Sequence, residues 1–205
     1  MEQIKRYFPE LSAVQIEQYE ALFPLYKEWN EKINVVSRKD FDNLYERHVL
    51  HALGIVKFMR FKDHTQILDL GTGGGFPGIP LAIFYPECHF HLIDSINKKL
   101  QVVRAVVNEL GLKNVQVTHT RMEEHKETHD FVVSRAVMPL SDLARLTRQN
   151  ISKESNNALP NGLICLKGGD LTHELMPFRK QVITFELSDV FKESFFETKK
   201  VVYLP

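Results

Sequence analysis

ILDLGTGGGFPGIPL, residues 67–81, joins a short apolar run to a glycine-rich turn. The apolar run ends at Asp69, and Gly71, Gly73, Gly74 and Gly75 follow within five positions. Glycine lets the backbone adopt strained conformations and approach a ligand closely, so this density of glycine is typical of a strand–turn–helix unit that binds a cofactor. The stretch therefore predicts both the start of an α/β fold and the position of a ligand site.

From residue 65 onward the chain alternates apolar strand segments with amphipathic helical segments. This alternation predicts a doubly wound, mostly parallel seven-stranded sheet with right-handed crossovers. The last two strands have no clear helix between them, which predicts an antiparallel pair at the edge. The predicted strands are 66–70, 90–95, 114–120, 130–136, 162–169, 182–187 and 197–204, and the predicted helices are 76–85, 96–111 and 139–150.

Residues 1–64 have a different, helical pattern and are predicted to form an extension to the α/β domain at 65–205. Apolar residues recur every three or four positions in 11–30 and again in 41–59. Ser12 with Gln15 predicts a capping box, whereas Asp40 or Asp42 is expected to cap the second helix. Pro24 is a candidate for a kink or break in the first helix.

Bulk composition predicts a soluble, cytoplasmic protein with one domain and its extension. The 205 residues include 26 basic and 26 acidic side chains, a balance that argues against strong nonspecific nucleic-acid binding but leaves open a basic face formed by folding. No apolar run is long enough to span a bilayer, and the first residues do not form a signal peptide. Cys88 and Cys165 lack a metal-ligand spacing, so we expect buried thiols and no metal site.

Two kinds of ligand fit the glycine-rich turn. The letters from Gly73 to Gly78 satisfy G-x-G-x-x-G, which would hold a pyrophosphate on backbone N–H groups. Asp69, however, places a carboxylate near the mouth of the turn, and Pro77 and Pro80 remove N–H donors. A carboxylate suits S-adenosylmethionine, which carries an ammonium and a sulfonium. We therefore favour the methyl donor over a dinucleotide.

Asp94 ends the second predicted strand and is a candidate to accept hydrogen bonds from ribose hydroxyls. Both competing cofactors contain a ribose, so this residue does not distinguish between them. The alternative role is to cap the next helix, but Ser95 is available for that.

Several motifs together resemble the ribosomal RNA small subunit methyltransferase G family, also called glucose-inhibited division protein B. The resemblance extends over nearly the whole chain, and the FPGIPL continuation is its most specific part. The motifs are KEWNEKIN (27–34), ERH (46–48), DLGTGGGFPGIPL (69–81), LIDSINKK (92–99), SRA (134–136) and LKG (166–168).

The resemblance implies a Rossmann-like class I methyltransferase that uses S-adenosylmethionine to methylate N7 of a guanine in small-subunit (16S) ribosomal RNA. The expected partner is that RNA or the small ribosomal subunit, and the protein is expected to be a monomer. Arg135 is expected to position the target base beside the cofactor. The predicted cofactor-binding residues are Asp69, Gly71, Gly73, Gly75, Phe76, Asp94, Met122, Glu123 and Arg135, and the candidates for RNA contact are Asn34, Arg47, His48 and Lys167.

Other functions stay open at this point. A class I methyltransferase acting on a small molecule or a protein is the nearest alternative, followed by a nicotinamide-dependent oxidoreductase and by a binding protein without turnover. The chain also departs from the family's usual letters in two places. It has NVV at 34–36 where NLT is usual, and RHVLHAL at 47–53 where RHxxDSL is frequent.

Overall fold

A computed structural model describes residues 1–135 and 138–205 of the chain. Its centre is a seven-stranded sheet with the strand order β3-β2-β1-β4-β5-β7-β6. The pairs among β1 to β5 are parallel, and β7 is antiparallel to both of its neighbours. The strands are β1 (Gln66–Leu70), β2 (His89–Asp94), β3 (Val115–His119), β4 (Phe131–Arg135), β5 (Gly162–Gly168), β6 (Ile183–Glu186) and β7 (Lys199–Leu204).

This architecture confirms the predicted fold class, and each predicted strand is present with its ends shifted by no more than two residues. The expected antiparallel edge is also present, with β7 inserted between β5 and the outermost β6. The predicted fourth strand extended to Ala136, which lies outside the described residues. From β1 the chain builds the sheet outward through β2 to β3, and then returns to place β4 on the other side of β1. The switch point therefore lies between β1 and β4, and ligands of doubly wound sheets bind at such a point.

Helices cover the sheet, and three of them, α1 to α3, belong to the N-terminal extension. Ser12 and Gln15 form the predicted capping box, and α2 continues through Pro24 without a break. Gly111 follows α5 with a φ of 62°, in the left-handed region that glycine often adopts at the end of a helix. The helices are α1 (Glu2–Tyr7), α2 (Ala13–Lys32), α3 (His51–Phe58), α4 (Gly78–Phe84), α5 (Asn97–Glu109), α6 (Leu140–Thr147) and α7 (Thr172–Leu175).

The second predicted helix of the extension is not regular. It consists of a 3₁₀ turn (Phe41–Asn43), a π-helical segment (Leu44–Leu50) and then α3. Asp40 occupies the N-cap position of the 3₁₀ turn, one of the two positions predicted, but its side chain forms no capping hydrogen bond and pairs with Arg47 instead. Asp42 lies within the turn. The expectation for Ser95 was wrong, because Ile96 occupies the N-cap position of α5 and its N–H donates to Asp94 Oδ1 (2.8 Å).

The extension is packed into the hydrophobic core. Ile4, Tyr19, Leu22 and Tyr26 are fully buried in the same apolar cluster as residues of α4, α5 and one face of the sheet. A smaller cluster under α6 covers the other face. The division at residue 64 stays a prediction.

Both cysteines are buried free thiols, as expected. Among the helices that the structure describes, none has the length and apolar character needed to cross a membrane.

Candidate functional site: two clefts that meet at Arg135

A cleft of about 640 Å³ opens at the carboxyl ends of β1, β2 and β4. The glycine-rich turn forms its floor, the loop after β2 forms one side and the short turn after β3 forms another. Predicted cofactor residues that line this cleft are Gly71, Gly73, Phe76, Asp94, Met122, Glu123 and Arg135. The sheet thus brings together residues from Gly71 to Arg135, as convergence of parallel strand ends requires.

Most backbone N–H groups of the glycine-rich turn donate hydrogen bonds to acceptors within the protein. Gly71, Gly73 and Gly75 have φ values of 67°, 59° and 97°, which explains the need for glycine at these positions. Within residues 71–79, all of which the structure describes, Pro77 has no N–H and only the Gly74 N–H lacks a protein acceptor. The donating amides are those of Gly71, Thr72, Gly73, Gly75, Phe76, Gly78 and Ile79. A pyrophosphate needs several free N–H groups at once, so this turn is poorly suited to a dinucleotide.

Asp69 does not lie at the mouth of the cleft, where the sequence placed it. Its side chain is fully buried behind the turn and is absent from the cleft lining. Oδ2 accepts hydrogen bonds from Thr72 Oγ1 (2.6 Å) and from the Gly78 N–H (2.8 Å), which ties both ends of the turn together. Burial raises the pKa of Asp69 to about 6, although these two hydrogen bonds act in the opposite direction.

Gly75 also faces away from the cleft. A Cβ atom there would lie 2.5 Å from Ile79 Cδ1 and 3.0 Å from the Tyr26 hydroxyl, so close packing requires glycine. The Tyr26 hydroxyl donates to the Gly74 carbonyl. Gly75 therefore shapes the turn without lining the site.

Asp94 lies at the end of β2 and is 8% exposed, with a place in the cleft lining. Its Oδ2 accepts the Gly73 N–H (2.9 Å) while Oδ1 accepts the Ile96 N–H (2.8 Å). One carboxylate therefore fixes the relative position of the glycine turn and the β2–α5 loop. Each oxygen keeps a second lone pair that can accept a hydroxyl from a ligand in the cleft.

Arg135 ends β4 and lies at the boundary between this first cleft and a second cleft. Its guanidinium sits over the Phe76 ring (5.2 Å to the centroid), and Nη2 contacts His48 Nδ1 at 3.1 Å. Nη1 donates to the Arg47 carbonyl (3.4 Å), which belongs to the π-helical segment. Arg135 forms no salt bridge with any described residue.

Burial shifts the titration of this group of side chains. Desolvation lowers the pKa of Arg135 to about 10, with Asp69 opposing the shift, so the guanidinium stays charged at pH 7. Desolvation, assisted by the Arg135 charge, lowers the pKa of His48 to about 3. His48 is therefore neutral, and its contact with a guanidinium, which can only donate, makes Nδ1 the acceptor.

The second cleft measures about 480 Å³ and lies between the π-helical segment and the ends of β5 and β7. Arg47, His48, Lys167 and Arg135 line it. Three of the four candidates for RNA contact therefore line the second cleft, whereas Asn34 is exposed on the loop after α2 and lines neither cleft, although its neighbour Val35 lines the first.

The charged groups of this second cleft are largely paired. Lys167 Nζ lies 2.6 Å from Glu174 Oε1 and donates to the Met138 carbonyl (2.9 Å), while Arg47 pairs with Asp40. Arg135 and Lys199 are the two cations of this lining without a carboxylate partner among the described residues, and Lys199 Nζ lies over the Phe195 ring. The pairing also occupies the two carboxylates that could otherwise act as bases.

Comparison with known proteins now adds to this geometry. The family model described as rRNA small subunit methyltransferase G matches residues 15–202. The chain belongs to this family. Proteins named ribosomal RNA small subunit methyltransferase G are similar over nearly full length: that of Parabacteroides distasonis is 64% identical over 97% of this chain and 86% of its own, and that of Christiangramia forsetii is 56% identical over 100% and 97%.

Solved structures support the fold of this family member. An S-adenosylmethionine-dependent methyltransferase from Aquifex aeolicus aligns with a TM-score of 0.56 at 18% identity, covering 82% of this chain and 98% of that one. A fibrillarin/Nop5p complex aligns with a TM-score of 0.56 at 12% identity, covering 77% and 80%. At such identities the likeness shows a methyltransferase-like fold alone. The family resemblance and the fold expected from the sequence are both confirmed.

The sequence did not identify the residues by which the extension of this methyltransferase G family member supports the turn. Asn30 accepts the N–H groups of Val35 and Val36 at 2.8 and 2.9 Å and donates to the Val36 carbonyl at 2.8 Å. Val35 then packs on Gly74, where a Cβ would lie 2.9 Å from Val35 Cβ. Asn30 lies within KEWNEKIN, so the motif was visible, but its contacts depend on the fold of the following loop.

Proposed function

We propose that the protein transfers the methyl group of S-adenosylmethionine to N7 of a guanine in small-subunit ribosomal RNA. The observation that carries the proposal is the meeting of two clefts at Arg135, one floored by the glycine turn and one lined by basic side chains. Membership of the methyltransferase G family supports the substrate class. S-adenosylmethionine supplies an electrophilic methyl group when bound.

Within the first cleft, the residues offer what a cationic methyl donor with an adenosine moiety needs. Asp94 has free lone pairs for the ribose hydroxyls, and the buried Met122 with Glu123 forms the wall proposed to face the adenine. Phe76 and the glycine backbone would hold the remainder of the donor. Asp69 contributes by fixing the turn and by adding negative potential from behind it, without direct contact.

Within the second cleft, the described side chains favour an acceptor that needs no deprotonation. His48 is a weak base that already accepts from Arg135, and the carboxylates of Asp40 and Glu174 are paired with cations. Guanine N7 has a free lone pair and carries no proton, so it can attack a methyl group directly. Catalysis then rests on positioning and on exclusion of water.

Arg135 is proposed to position the base through its O6 atom. Arginine recognises guanine at O6 and N7 in many nucleic-acid complexes. Because N7 must stay free to attack and becomes cationic afterwards, only the O6 contact is compatible with transfer. The Phe76 ring and His48 hold the guanidinium in place for this contact.

We further propose that a monomer in the cytoplasm recognises the RNA as part of the assembled small subunit. With 26 basic and 26 acidic residues, the chain has no net charge to drive binding to free RNA. Recognition would then depend on local shape and on the few cations of the second cleft. Naked RNA should be a poorer substrate than the subunit.

Binding and transfer can be tested separately. In calorimetry, S-adenosylmethionine and its demethylated product should bind and NADH should not; NADH binding without the other two would contradict the donor assignment. With labelled donor, the label should appear in 16S RNA of whole small subunits, and more slowly in naked RNA. Label in ribosomal protein, or in a small molecule from a cell extract only, would contradict the substrate assignment.

A further inference from the structure

A buried histidine cluster lies outside both clefts. His91, His125, Glu127 and His129 each offer a ligand atom, and the four atoms lie within 4.8 Å of one another. The three histidines are 5–6% exposed, whereas the Glu127 side chain reaches solvent. The proposed methyl transfer uses none of these residues.

Local geometry explains how the chain builds the cluster. His125, Glu127 and His129 are alternate residues of an irregular segment between the turn after β3 and the start of β4. Alternate residues of extended chain face the same way, so the HKETH sequence directs three ligands to one side. β2 supplies His91 opposite them, and the buried Asn150 side chain holds the segment by donating to the carbonyls of His125 and Glu127 (both 3.0 Å).

Three buried ring nitrogens of the cluster have no hydrogen-bond partner among the described residues. These atoms are His91 Nδ1, His125 Nε2 and His129 Nδ1. His91 Nδ1 lies 3.2 Å from Glu127 Oε2, but the two are not aligned as a hydrogen bond. Buried polar atoms are normally satisfied, so three unpartnered nitrogens within one cluster of potential ligands point to a ligand at this place.

The available donors match a tetrahedral metal ion. Ligands about 2.0–2.1 Å from zinc at tetrahedral angles are separated by about 3.3 Å. His91 Nδ1 and Glu127 Oε2 are 3.2 Å apart, and the four ligand atoms lie within 4.8 Å of one another, so the side chains would draw together around a bound ion. His91 Nε2 lies 2.8 Å from Thr118 Oγ1, an outer contact that leaves Nδ1 free for a metal, as in known histidine sites. Nitrogen donors disfavour calcium and magnesium, which prefer oxygen.

We propose that His91, His125, Glu127 and His129 form a structural site for a divalent transition-metal ion, with zinc as the ion that fits the donor set. The ion would join β2 to the segment after the Met122–Glu124 turn. Because Met122 and Glu123 line the first cleft, the metal would brace one of its walls from below. This site goes beyond the proposed methyl transfer and does not depend on it.

The test uses the full-length protein without an affinity tag, treated with a chelator and then titrated with zinc or cobalt alone. Zinc calorimetry should give one site per chain, and cobalt should develop the visible bands of tetrahedral coordination. Glu127→Gln changes an exposed ligand without disturbing the core and should weaken zinc binding at least about tenfold. The paired change of His125 and His129 to Gln should abolish it, and the exposed His173→Gln should bind as the wild type does.

Thermal denaturation provides a second measurement for each variant. Zinc should raise the melting temperature of the wild type and of His173→Gln, and raise that of Glu127→Gln less. Failure of the paired histidine variant to fold would leave the Glu127→Gln comparison to decide. Equal zinc affinity in Glu127→Gln and wild type, no stoichiometric binding, or octahedral cobalt bands would each overturn the proposal.

Discussion

Asp69→Asn tests whether the acid behind the glycine turn is a desolvated carboxylate. In the folded state burial raises its pKa from 3.8 to about 6. The folded protein therefore binds the proton more tightly than the unfolded chain between these two values. Asp69 contributes stability that is fully present below pH 3.8 and is lost as the pH rises through about 6. The charged form is present at pH 7.5 at a cost to stability.

The magnitude follows from the same two pKa values. Integrating the linkage relation from pH 4.5 to pH 7.5 gives a loss of about 2 kcal/mol in unfolding free energy from this one group. Asparagine does not titrate, so it lacks this loss. Its amide also keeps an oxygen for Thr72 and Gly78, while its NH₂ group occupies the position of Oδ1, which has no partner among the described residues.

The assay is urea denaturation of wild type and Asp69→Asn at several pH values between 4.5 and 7.5. The unfolding free energy of Asp69→Asn relative to wild type should rise by about 2 kcal/mol across this pH range. Any pH-independent difference in stability between the two proteins does not affect this change. At pH 7.5, Asp69→Asn should bind S-adenosylmethionine more weakly than wild type, because the substitution removes negative potential behind the turn. A stability difference that does not vary with pH would refute the desolvated-acid account.

Three further substitutions probe the site. Asp94→Ala should weaken S-adenosylmethionine binding by about 1–3 kcal/mol in calorimetry, since a charged acceptor for ribose and for the Gly73 N–H is lost; unchanged affinity would leave Asp94 as a loop brace only. Arg135→Lys should reduce methyl transfer in single-turnover assays far more than donor affinity, because lysine lacks the planar guanidinium that Phe76 and His48 hold; equal losses would point to a structural role. Gly78→Ala should lower the unfolding free energy by about 1–3 kcal/mol in urea titration, since its Cβ would lie 2.6 Å from Asp69 Oδ2; wild-type stability would contradict this packing.

Matched controls separate local effects from general ones. Arg145→Lys is a suitable control for Arg135→Lys, because Arg145 is exposed on α6 and, among the described residues, forms an ion pair with Asp142 alone. It should leave transfer and stability unchanged. A loss in this control would mean that any arginine-to-lysine change on this face disturbs the protein.

The sheet was predictable because its strands are short apolar runs that end in polar residues, with helices between them. QILDL is the clearest case: it was predicted as residues 66–70 and forms β1 with those limits. The first cleft was predictable in outline for a related reason. Parallel strands place their carboxyl ends at one edge, so Asp94 and Arg135 had to lie near the glycine turn.

Side-chain direction at the turn was not predictable. The sequence shows that Asp69 precedes the glycines, but a tight turn can direct that carboxylate toward the ligand or behind the backbone. Hydrogen bonds to Thr72 and Gly78 place it behind. Gly75 was likewise assigned to the ligand, whereas contacts from Tyr26 and Ile79 show that it faces the core.

Long-range contacts account for the rest. Residues 44–50 have an ordinary helical pattern of apolar residues, so the sequence does not indicate a π-helical segment. In the structure, the Arg47 carbonyl of this segment accepts from Arg135, a contact that depends on the fold. The histidine cluster was missed for a similar reason. HKETH at 125–129 does not have a familiar metal-ligand spacing, and the fourth ligand, His91, comes from β2 and is close only in the folded chain.

The most direct test of the central claim is to locate the transferred methyl group. Small subunits that lack the modification would be incubated with the protein and S-adenosylmethionine, and the 16S RNA then cleaved by chemistry specific for N7-methylguanine. One enzyme-dependent cleavage at a guanine, reduced in Arg135→Lys and unchanged in Arg145→Lys, is the predicted result. Methylation without N7 cleavage, or at a base other than guanine, would contradict the account.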